Sequence, residues 1–193
     1  FGTRTDNTNV LLLMNSQLGV MVGKSTQIYR CPADKSMVTI GGKRMPRVRS
    51  VSMNAYLGDR GGPYTSGYWQ FKKITDIHNP APSKCWVFVD EREDSINDGW
   101  FAVDMVGFDP RNPSQWRIVD YPASYHNNAC GFAFADGHSE IKKWLSRTSK
   151  YTAIRFSYGP TMAFDAAGRQ DFAWYLERTG YVLASTGERQ FGY

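Results

Sequence analysis

The feature that most constrains the fold is Asp136-Gly137, which lies between two runs of alternating apolar and polar residues. An Asp-Gly pair in this setting predicts a β-hairpin, because a type I′ turn requires positive φ at both central residues. With a two-residue loop, Phe132, Phe134 and Ile141 would share one face of the hairpin. We predict that this face is turned towards the core and that Trp144 lies on the opposite face.

Length and composition predict one folded domain. The chain has 193 residues, of which 41% are hydrophobic and 15% aromatic, so it can bury a core and is not disordered in composition. The continuous apolar run from Lys84 to Asp90 predicts a central strand, and residues 47–57 alternate as a further strand. We predict an α+β fold built on an antiparallel sheet, with short helices, long loops and an extra strand or tail at residues 180–193.

Two helices are predicted from capping residues. Asn7 or Asn9 would cap a helix through residues 10–18 that ends at Gly19. Asp171 would cap a second helix through residues 172–179 that ends at Gly180.

Charge is unevenly distributed along the chain. The net charge is +5, but residues 1–50 hold eight basic and two acidic side chains, whereas residues 86–110 hold seven acidic and one basic. Two patches of opposite sign favour head-to-tail association of copies, and the alternative is two solvated faces. The basic residues form no recognisable nucleic-acid-binding motif, so no nucleic-acid partner is expected.

Three cysteines, Cys31, Cys85 and Cys130, are too few for a disulfide framework. One disulfide and one free thiol would fit an oxidising compartment, and the sequence leaves the pairing open. The spacing of His and Cys predicts no structural zinc site.

One spacing is of special interest: nine residues separate His126 from Asp136-Gly137. This spacing resembles the H-x9-DG signature of prepilin-type, processing-associated proteins, which are relatives of type IV pilins and type II secretion pseudopilins. Other segments resemble the same family and occur in its order: YRCPAD (29–34), RSVSMNAYLG (49–58), WVFVDEREDSINDGWFAV (86–103), DYPASYHN (120–127) and DFAWYLERT (171–179).

The resemblance implies a structural subunit of a cell-surface filament or a type II secretion-type assembly. Its partners would be further copies of the chain or other pilin-like subunits. Its location would be the bacterial cell envelope, periplasmic or extracellular, with the full-length form anchored in the inner membrane by an N-terminal apolar helix. Residues 1–6 do not resemble that helix, so we expect the chain to be the globular head without its stalk.

The resemblance also implies a calcium site, because several pseudopilins hold Ca²⁺ in a loop of the head. The acidic segment 90–99 offers Asp90, Asp94, Asn97 and Asp98 as ligands, and Ca²⁺ takes six to eight oxygen ligands. The spacing is not that of an EF-hand. The alternative is a capped turn whose carboxylates accept backbone N–H groups.

For the signature residues His126, Asp136 and Gly137 we expect a structural role. The imidazole of His126 would form a hydrogen bond that pins the incoming loop to the hairpin turn, while Asp136 serves the turn itself. A metal site formed by His126, His138 and Asp136 is the alternative.

Catalysis is not expected, because no nucleophile or metalloprotease motif occurs. Carboxylates such as Glu91 and Asp94 are the candidates for an acid–base pair.

A second function class is a cell-surface module that binds carbohydrate or acts as an adhesin. In that case Tyr64 and Tyr68, in or beside the glycine-rich loop 58–67, would be exposed and stack on the ligand.

Overall fold

The computed structural model describes residues 4–58, 65, 68–105, 115–117, 119–146, 161–163, 165–180, 182–184 and 187–189. The strands are β1 (Met37–Ile40), β2 (Lys43–Pro46), β3 (Val51–Asn54), β4 (Trp86–Asp90), β5 (Trp100–Phe101), β6 (Gln115–Arg117), β7 (Ala129–Phe134), β8 (Ser139–Lys143), β9 (Thr161–Ala163), β10 (Val182–Ala184) and β11 (Gly187–Arg189). The helices are α1 (Val10–Met14), α2 (Gln17–Met21) and α3 (Ala166–Leu176), with 3-10 turns at Thr5–Thr8, Gln27–Tyr29 and Ile74–Asp76.

The main sheet has five strands in the spatial order β5-β3-β4-β7-β8. All neighbours in it are antiparallel except β3 and β5, which pair in parallel over two residues. The pairs β1-β2, β6-β9 and β10-β11 form separate two-stranded ladders. The predicted α+β class and the central position of the apolar run at β4 are therefore confirmed.

Aromatic side chains fill the space between one face of the sheet and α3. Trp86 of β4 is fully buried, and its Nε1 donates to Oγ1 of Thr179 at 3.0 Å. Phe132 of β7 packs edge-to-face against Trp86 and Trp174, with ring centroids 5.9 and 5.2 Å apart. Each such ring removes a large apolar surface from water, so this face carries most of the hydrophobic stabilisation.

The hairpin forms where the sequence predicts it, but its register differs by one residue. Ala133 pairs with Ser139, and Phe132 pairs with Glu140. The loop has three residues, closed by a 2.9 Å bond from the Phe134 N–H to the His138 carbonyl, with Gly137 at a φ of 95°. A type I turn followed by a left-handed residue is a common three-residue hairpin loop.

The shift in register reverses the face of every side chain in β8. Ile141, predicted to face the core, is 61% exposed, while Phe132 and Phe134 remain buried. Trp144 is buried beside Phe132, at a centroid distance of 6.2 Å, and not on the opposite face as predicted.

Strand β3 turns its polar residues inwards. Ser52 and Asn54 are buried, whereas Val51 and Met53 are only half-buried. Nδ2 of Asn54 donates to the carbonyls of Trp86 and Thr179, both at 2.9 Å. These bonds satisfy the buried polar atoms and tie the sheet to the C-terminal end of α3.

Both predicted helices occur with different ends. The N-terminal one is split into α1 and α2, because Ser16 caps a new helix by accepting the N–H of Gly19 at 2.9 Å. Gly19 therefore lies inside α2, where a Cβ atom would come within 2.2 Å of the Leu13 carbonyl oxygen. In the part of the chain that the structure describes, no helix has the length and apolar character needed to cross a membrane.

Helix α3 begins earlier than predicted. Its N-cap is Asp165, which accepts the N–H of Gly168 at 2.6 Å. Asp171, predicted as the cap, lies within the helix and is fully buried. Its Oδ2 accepts the N–H groups of Leu145 and Ser146 at 2.8 and 2.9 Å, so it fastens the chain after β8 to the helix.

The register can be tested by truncating one side chain from each face of the hairpin. Phe132→Ala should lower the free energy of unfolding by about 3–5 kcal/mol, because it opens a cavity in the core. Ile141→Ala should cost less than about 1 kcal/mol, because the side chain is largely in solvent. Urea unfolding measures both, and similar large losses would contradict the observed register.

Candidate metal centre

The face of the main sheet opposite α3 is only partly covered, and we call it the open face. It carries Val51, Met53, Phe88, Ala133 and Ile141, which are half-buried or exposed. Asp90, the last residue of β4, lies on the same face, since it pairs with Val51 two positions after the Met53–Phe88 pair. A carboxylate thus sits within an apolar row of the sheet.

Asp90 is 8% exposed, and its surroundings are arranged around the carboxylate. Oδ2 accepts the N–H of Gly131 on β7 at 3.3 Å. A Cβ atom at position 131 would lie 2.8 Å from the same oxygen, so the glycine leaves the space that the carboxylate occupies. Burial raises the pKa of Asp90, against the hydrogen bond from Gly131 and the contact with His126.

His126 approaches Asp90 from the loop before β7. Asn127 and Asn128 have φ values of 53° and 63°, a left-handed conformation that asparagine adopts more readily than most residues. The N–H of His126 donates to the Ala129 carbonyl at 3.2 Å, which closes this tight turn. The turn brings Nε2 of His126 to 3.3 Å from Oδ2 of Asp90.

Cys31 reaches the same place from the segment that precedes β1, residues 4–36, which we call the N-terminal segment. The Cys31 carbonyl accepts the N–H of Asp34 at 3.0 Å, a turn that Pro32 favours by its fixed φ. The Cys31 N–H donates to Oγ of Ser50 at 2.8 Å, which anchors the segment beside the start of β3. Sγ of Cys31 then lies 3.2 Å from Nε2 of His126.

The three side chains offer one sulfur, one nitrogen and one oxygen atom, all within 4.8 Å of one another. Among the described residues, no other group of three or more His, Cys, Asp and Glu side chains converges in this way. The group could hold a metal ion.

The geometry is not that of an activated nucleophile. In a nucleophile–histidine–carboxylate relay, the carboxylate and the nucleophile bind different ring nitrogens. Here Cys31 and Asp90 both approach Nε2 of His126. Burial and the charge of Asp90 raise the pKa of the Cys31 thiol despite backbone hydrogen bonds that lower it, which favours the thiol over the nucleophilic thiolate.

The centre lies in the wall of a groove that runs across the open face and has a volume of about 790 Å³. Apolar side chains form most of the lining, and Leu13, Leu18 and Ile28 of the N-terminal segment make up one side. The His126 side chain is 34% exposed at this surface.

The predicted calcium ligands are not brought together. Asp90 belongs to the centre described above, and Asp94 forms two hydrogen bonds of 2.9 and 2.8 Å with the guanidinium of Arg92. Asp98 accepts the N–H of Trp100 at 2.8 Å, and Asn97 is exposed. The contact of Asp98 with a backbone N–H is that of the alternative prediction, a capped turn, whereas Asp94 is held by a side chain.

The predicted bond between His126 and the hairpin turn is wrong, because the six residues of β7 separate the two. Asp136 does serve the turn: its Oδ1 accepts the N–H of His138 at 3.1 Å and lies 2.5 Å from Nδ1 of the same residue. His138 is therefore paired within the turn, and the alternative metal site of His126, His138 and Asp136 does not form.

Tyr68, predicted to be exposed, is 7% exposed and packs edge-to-face against Tyr56 at 5.6 Å. Tyr64 lies outside the described residues.

Of the acid–base candidates, Asp94 is paired with Arg92, whereas Glu91 is buried and accepts hydrogen bonds from Oγ of Ser52 at 2.5 Å and of Ser95 at 2.8 Å.

Sequence reasoning identified Asp90 and His126 separately and did not associate Cys31 with either. A signal existed, since the segments 29–34, 86–103 and 120–127, which carry the family resemblance, each contribute one member of the centre. Comparisons with protein-family models, curated proteins and solved structures return no match to this chain. The resemblance therefore stays a prediction that rests on its motifs.

All three cysteines are free thiols and buried, so the structure contains no disulfide among Cys31, Cys85 and Cys130. Cys130 lies close behind the centre, with Sγ donating to the Asp90 carbonyl at 3.3 Å. Cys85 is fully buried in the core.

Asp120 makes the stability of the fold depend on pH. Its Oδ2 accepts the N–H of Ala102 at 2.6 Å, and burial raises its pKa to about 7. A raised carboxyl pKa contributes stability that is complete below the unfolded pKa of about 4 and is lost as the pH rises through the folded value. The melting temperature of the chain should therefore increase when the pH is lowered from 8 to 5.

Asp120→Asn should reduce this dependence, because the amide does not titrate. The same substitution at the exposed Asp6 serves as the control. It should leave the slope of melting temperature against pH as it is in the native chain. An unchanged slope in Asp120→Asn would contradict the assignment.

Proposed function

We propose that the chain is the head of a pilin-like or pseudopilin-like subunit, which assembles into a cell-surface filament or a type II secretion-type complex. The observation that carries this proposal is the large apolar surface of the N-terminal segment. Seven of its large side chains are exposed: Val10, Leu11, Leu12, Leu18, Val20, Met21 and Ile28.

Two of these side chains reach the open face of the main sheet. Leu18 and Ile28 are exposed and also line the groove, and Ile141 does the same from β8. Large contiguous apolar patches on soluble proteins mark surfaces that another molecule covers. A second pilin-like subunit, or another copy of this chain, would bury the N-terminal helices and the exposed part of the open face together.

Charge contributes less to assembly than its distribution along the sequence predicts. The guanidinium of Arg47 is buried and donates to the carbonyls of Glu93 and Ile96. Arg49 donates to Oγ of Ser52, which in turn binds Glu91. Part of the basic segment is thus paired with the acidic segment inside one chain, which favours apolar contacts over head-to-tail charge pairing as the basis of association.

The resemblance to the H-x9-DG family supports the same proposal. His126 of that signature contacts Cys31 and Asp90, which lie in two other segments of the chain, and Asp136 and Gly137 form the turn of a sheet hairpin. A location in the cell envelope and an N-terminal membrane anchor of the full-length form belong to this proposal through the resemblance.

A ligand-binding module on the same scaffold is the second candidate, and the groove favours it. Its volume falls in the range of about 300–1,000 Å³ that is usual for small-molecule sites. The burial of Tyr68 removes one of the two residues predicted to stack on a sugar. An apolar ligand that lies across the open face fits the lining better than a carbohydrate.

Assembly can be tested by placing charges on the exposed side of α2. The chain should associate at high micromolar concentration, and Val20→Glu combined with Met21→Glu should make it monomeric, because carboxylates would have to be desolvated at the interface. Sedimentation equilibrium measures the change.

A matched control changes the net charge by the same amount at exposed polar positions of this region. Gln17→Glu combined with Lys24→Gln should leave the association constant within about threefold of the native value. A native chain that stays monomeric, or an equal loss in both double variants, would contradict the proposed surface.

For the acidic segment we propose that its own hydrogen bonds hold the loop and that Ca²⁺ contributes little. The contacts of Asp94 with Arg92 and of Asp98 with Trp100 support this. The melting temperature should be the same in millimolar Ca²⁺ and in EGTA. A rise of several degrees in Ca²⁺ would instead support a calcium site, because a ligand at a hundred times its Kd adds about 2.7 kcal/mol.

A further inference from the structure

We infer that Cys31, Asp90 and His126 form a binding site for a divalent transition metal ion, with Zn²⁺ as the best-fitting ion. The inference does not depend on the proposed function, because metal binding by one chain requires no assembly. It rests on the identity of the three ligands, on their spacing and on the way in which the sheet accommodates them.

The identity of the ligands selects the class of metal. A thiolate, an imidazole and a carboxylate are all common ligands of Zn²⁺. Ca²⁺ and Mg²⁺ take oxygen ligands almost exclusively, so a sulfur and a nitrogen atom in a set of three disfavour them. The ion would hold Cys31 as the thiolate, since the thiolate is the form that binds metals.

The spacing fits one tetrahedral ion. Zinc bond lengths of about 2.3 Å to sulfur and about 2.0–2.1 Å to nitrogen and oxygen place neighbouring ligand atoms about 3.4–3.6 Å apart. The observed separations are 3.2 Å for Sγ of Cys31 to Nε2 of His126 and 3.3 Å for Nε2 to Oδ2 of Asp90. The third separation, from Sγ of Cys31 to the Asp90 carboxylate, is at most 4.8 Å, so side-chain shifts of up to about 1 Å would bring all three atoms to the ion.

The surroundings hold the ligands in place before any ion arrives. The Gly131 N–H fixes Oδ2 of Asp90, and the Ser50 hydroxyl fixes the Cys31 backbone. Partners of this kind orient metal ligands and raise metal affinity. Gly131 also provides the space for the carboxylate.

The site would join parts of the chain that are distant in sequence. Cys31 and His126 are 95 residues apart, and Asp90 belongs to the central strand between them. Three protein ligands leave one position of a tetrahedral ion open towards the groove, where water or a donor atom of a bound molecule can complete it. The ion would therefore fasten the N-terminal segment to the open face.

Titration of the reduced 193-residue chain with zinc sulfate, followed by calorimetry, tests the inference. We expect one Zn²⁺ per chain and a melting temperature raised by several degrees at saturation. Co²⁺ should give the visible spectrum of a tetrahedral site with a thiolate charge-transfer band. Zn²⁺ should displace Co²⁺, whereas Ca²⁺ should not.

Ligand variants identify the site. Cys31→Ser should abolish the thiolate band, and His126→Gln and Asp90→Asn should each weaken Zn²⁺ binding at least ~10-fold, the lower end of what orienting partners contribute. His126 is partly exposed, so His126→Gln keeps the test valid if the variants of the two buried residues do not fold. Near-UV circular dichroism establishes folding for each variant.

Matched controls change the same residue types elsewhere. Cys85→Ala and His138→Gln should keep the native affinity and the thiolate band. The inference is overturned if the reduced native chain binds neither ion, if Cys31→Ser and His126→Gln bind Zn²⁺ as the native chain does, or if His138→Gln loses binding to the same extent.

Gly131→Ala tests the positioning of Asp90 separately. The added Cβ would displace the carboxylate and should weaken Zn²⁺ binding by about 10–100-fold, while the Co²⁺ spectrum keeps its thiolate band. Native affinity in a folded Gly131→Ala chain would count against Asp90 as a ligand.

Discussion

The carboxylate of Asp90, buried on the open face of the central strand, is the constraint on which the neighbouring segments depend. A buried charge is unfavourable unless other groups pair with it or donate hydrogen bonds to it. Gly131 supplies a backbone donor to Oδ2, Nε2 of His126 lies 3.3 Å from the same oxygen, and Sγ of Cys31 contacts that imidazole nitrogen. The N-terminal segment, the central strand and the loop before β7 therefore meet at one point.

The two faces of β4 have different roles in the fold. One face buries Trp86 against α3, and the shared hydrogen bonds of Asn54 and Thr179 join helix and sheet there. The other face carries Phe88 and Asp90 and is covered only in part. The first face accounts for stability, and the second leaves the surface and the ligand atoms on which the proposals of assembly and metal binding rest.

Sequence patterns predicted the elements that depend on local chemistry. The apolar run ending at Asp90 became the central strand, and Asp136-Gly137 became a hairpin turn. The register was not predictable, because a left-handed Gly137 fits both a two-residue and a three-residue loop, and the core decides between them. The inward orientation of the polar residues of β3 was not predictable either, since Asn54 meets its partner Thr179, 125 positions away in sequence, only in the folded chain.

The candidate centre was less accessible to sequence reasoning than the fold. Metal sites are recognised in sequences by short spacings such as a pair of cysteines two residues apart, and Cys31, Asp90 and His126 have no such spacing. The sequence around each residue does explain its local placement: Cys31 precedes a proline, Asp90 ends an apolar strand, and His126 precedes two asparagines. The pairing of β4 with β7 brings Asp90 and His126 together, and the hydrogen bond of Cys31 to Ser50 beside β3 adds the third residue.

X-ray absorption at the zinc edge of the zinc-loaded chain decides whether these three side chains act as one set of ligands. We expect one sulfur atom at about 2.3 Å and nitrogen and oxygen atoms at about 2.0–2.2 Å, in a four-coordinate shell. A shell of nitrogen and oxygen alone would contradict it, because the ion would then be bound without Cys31.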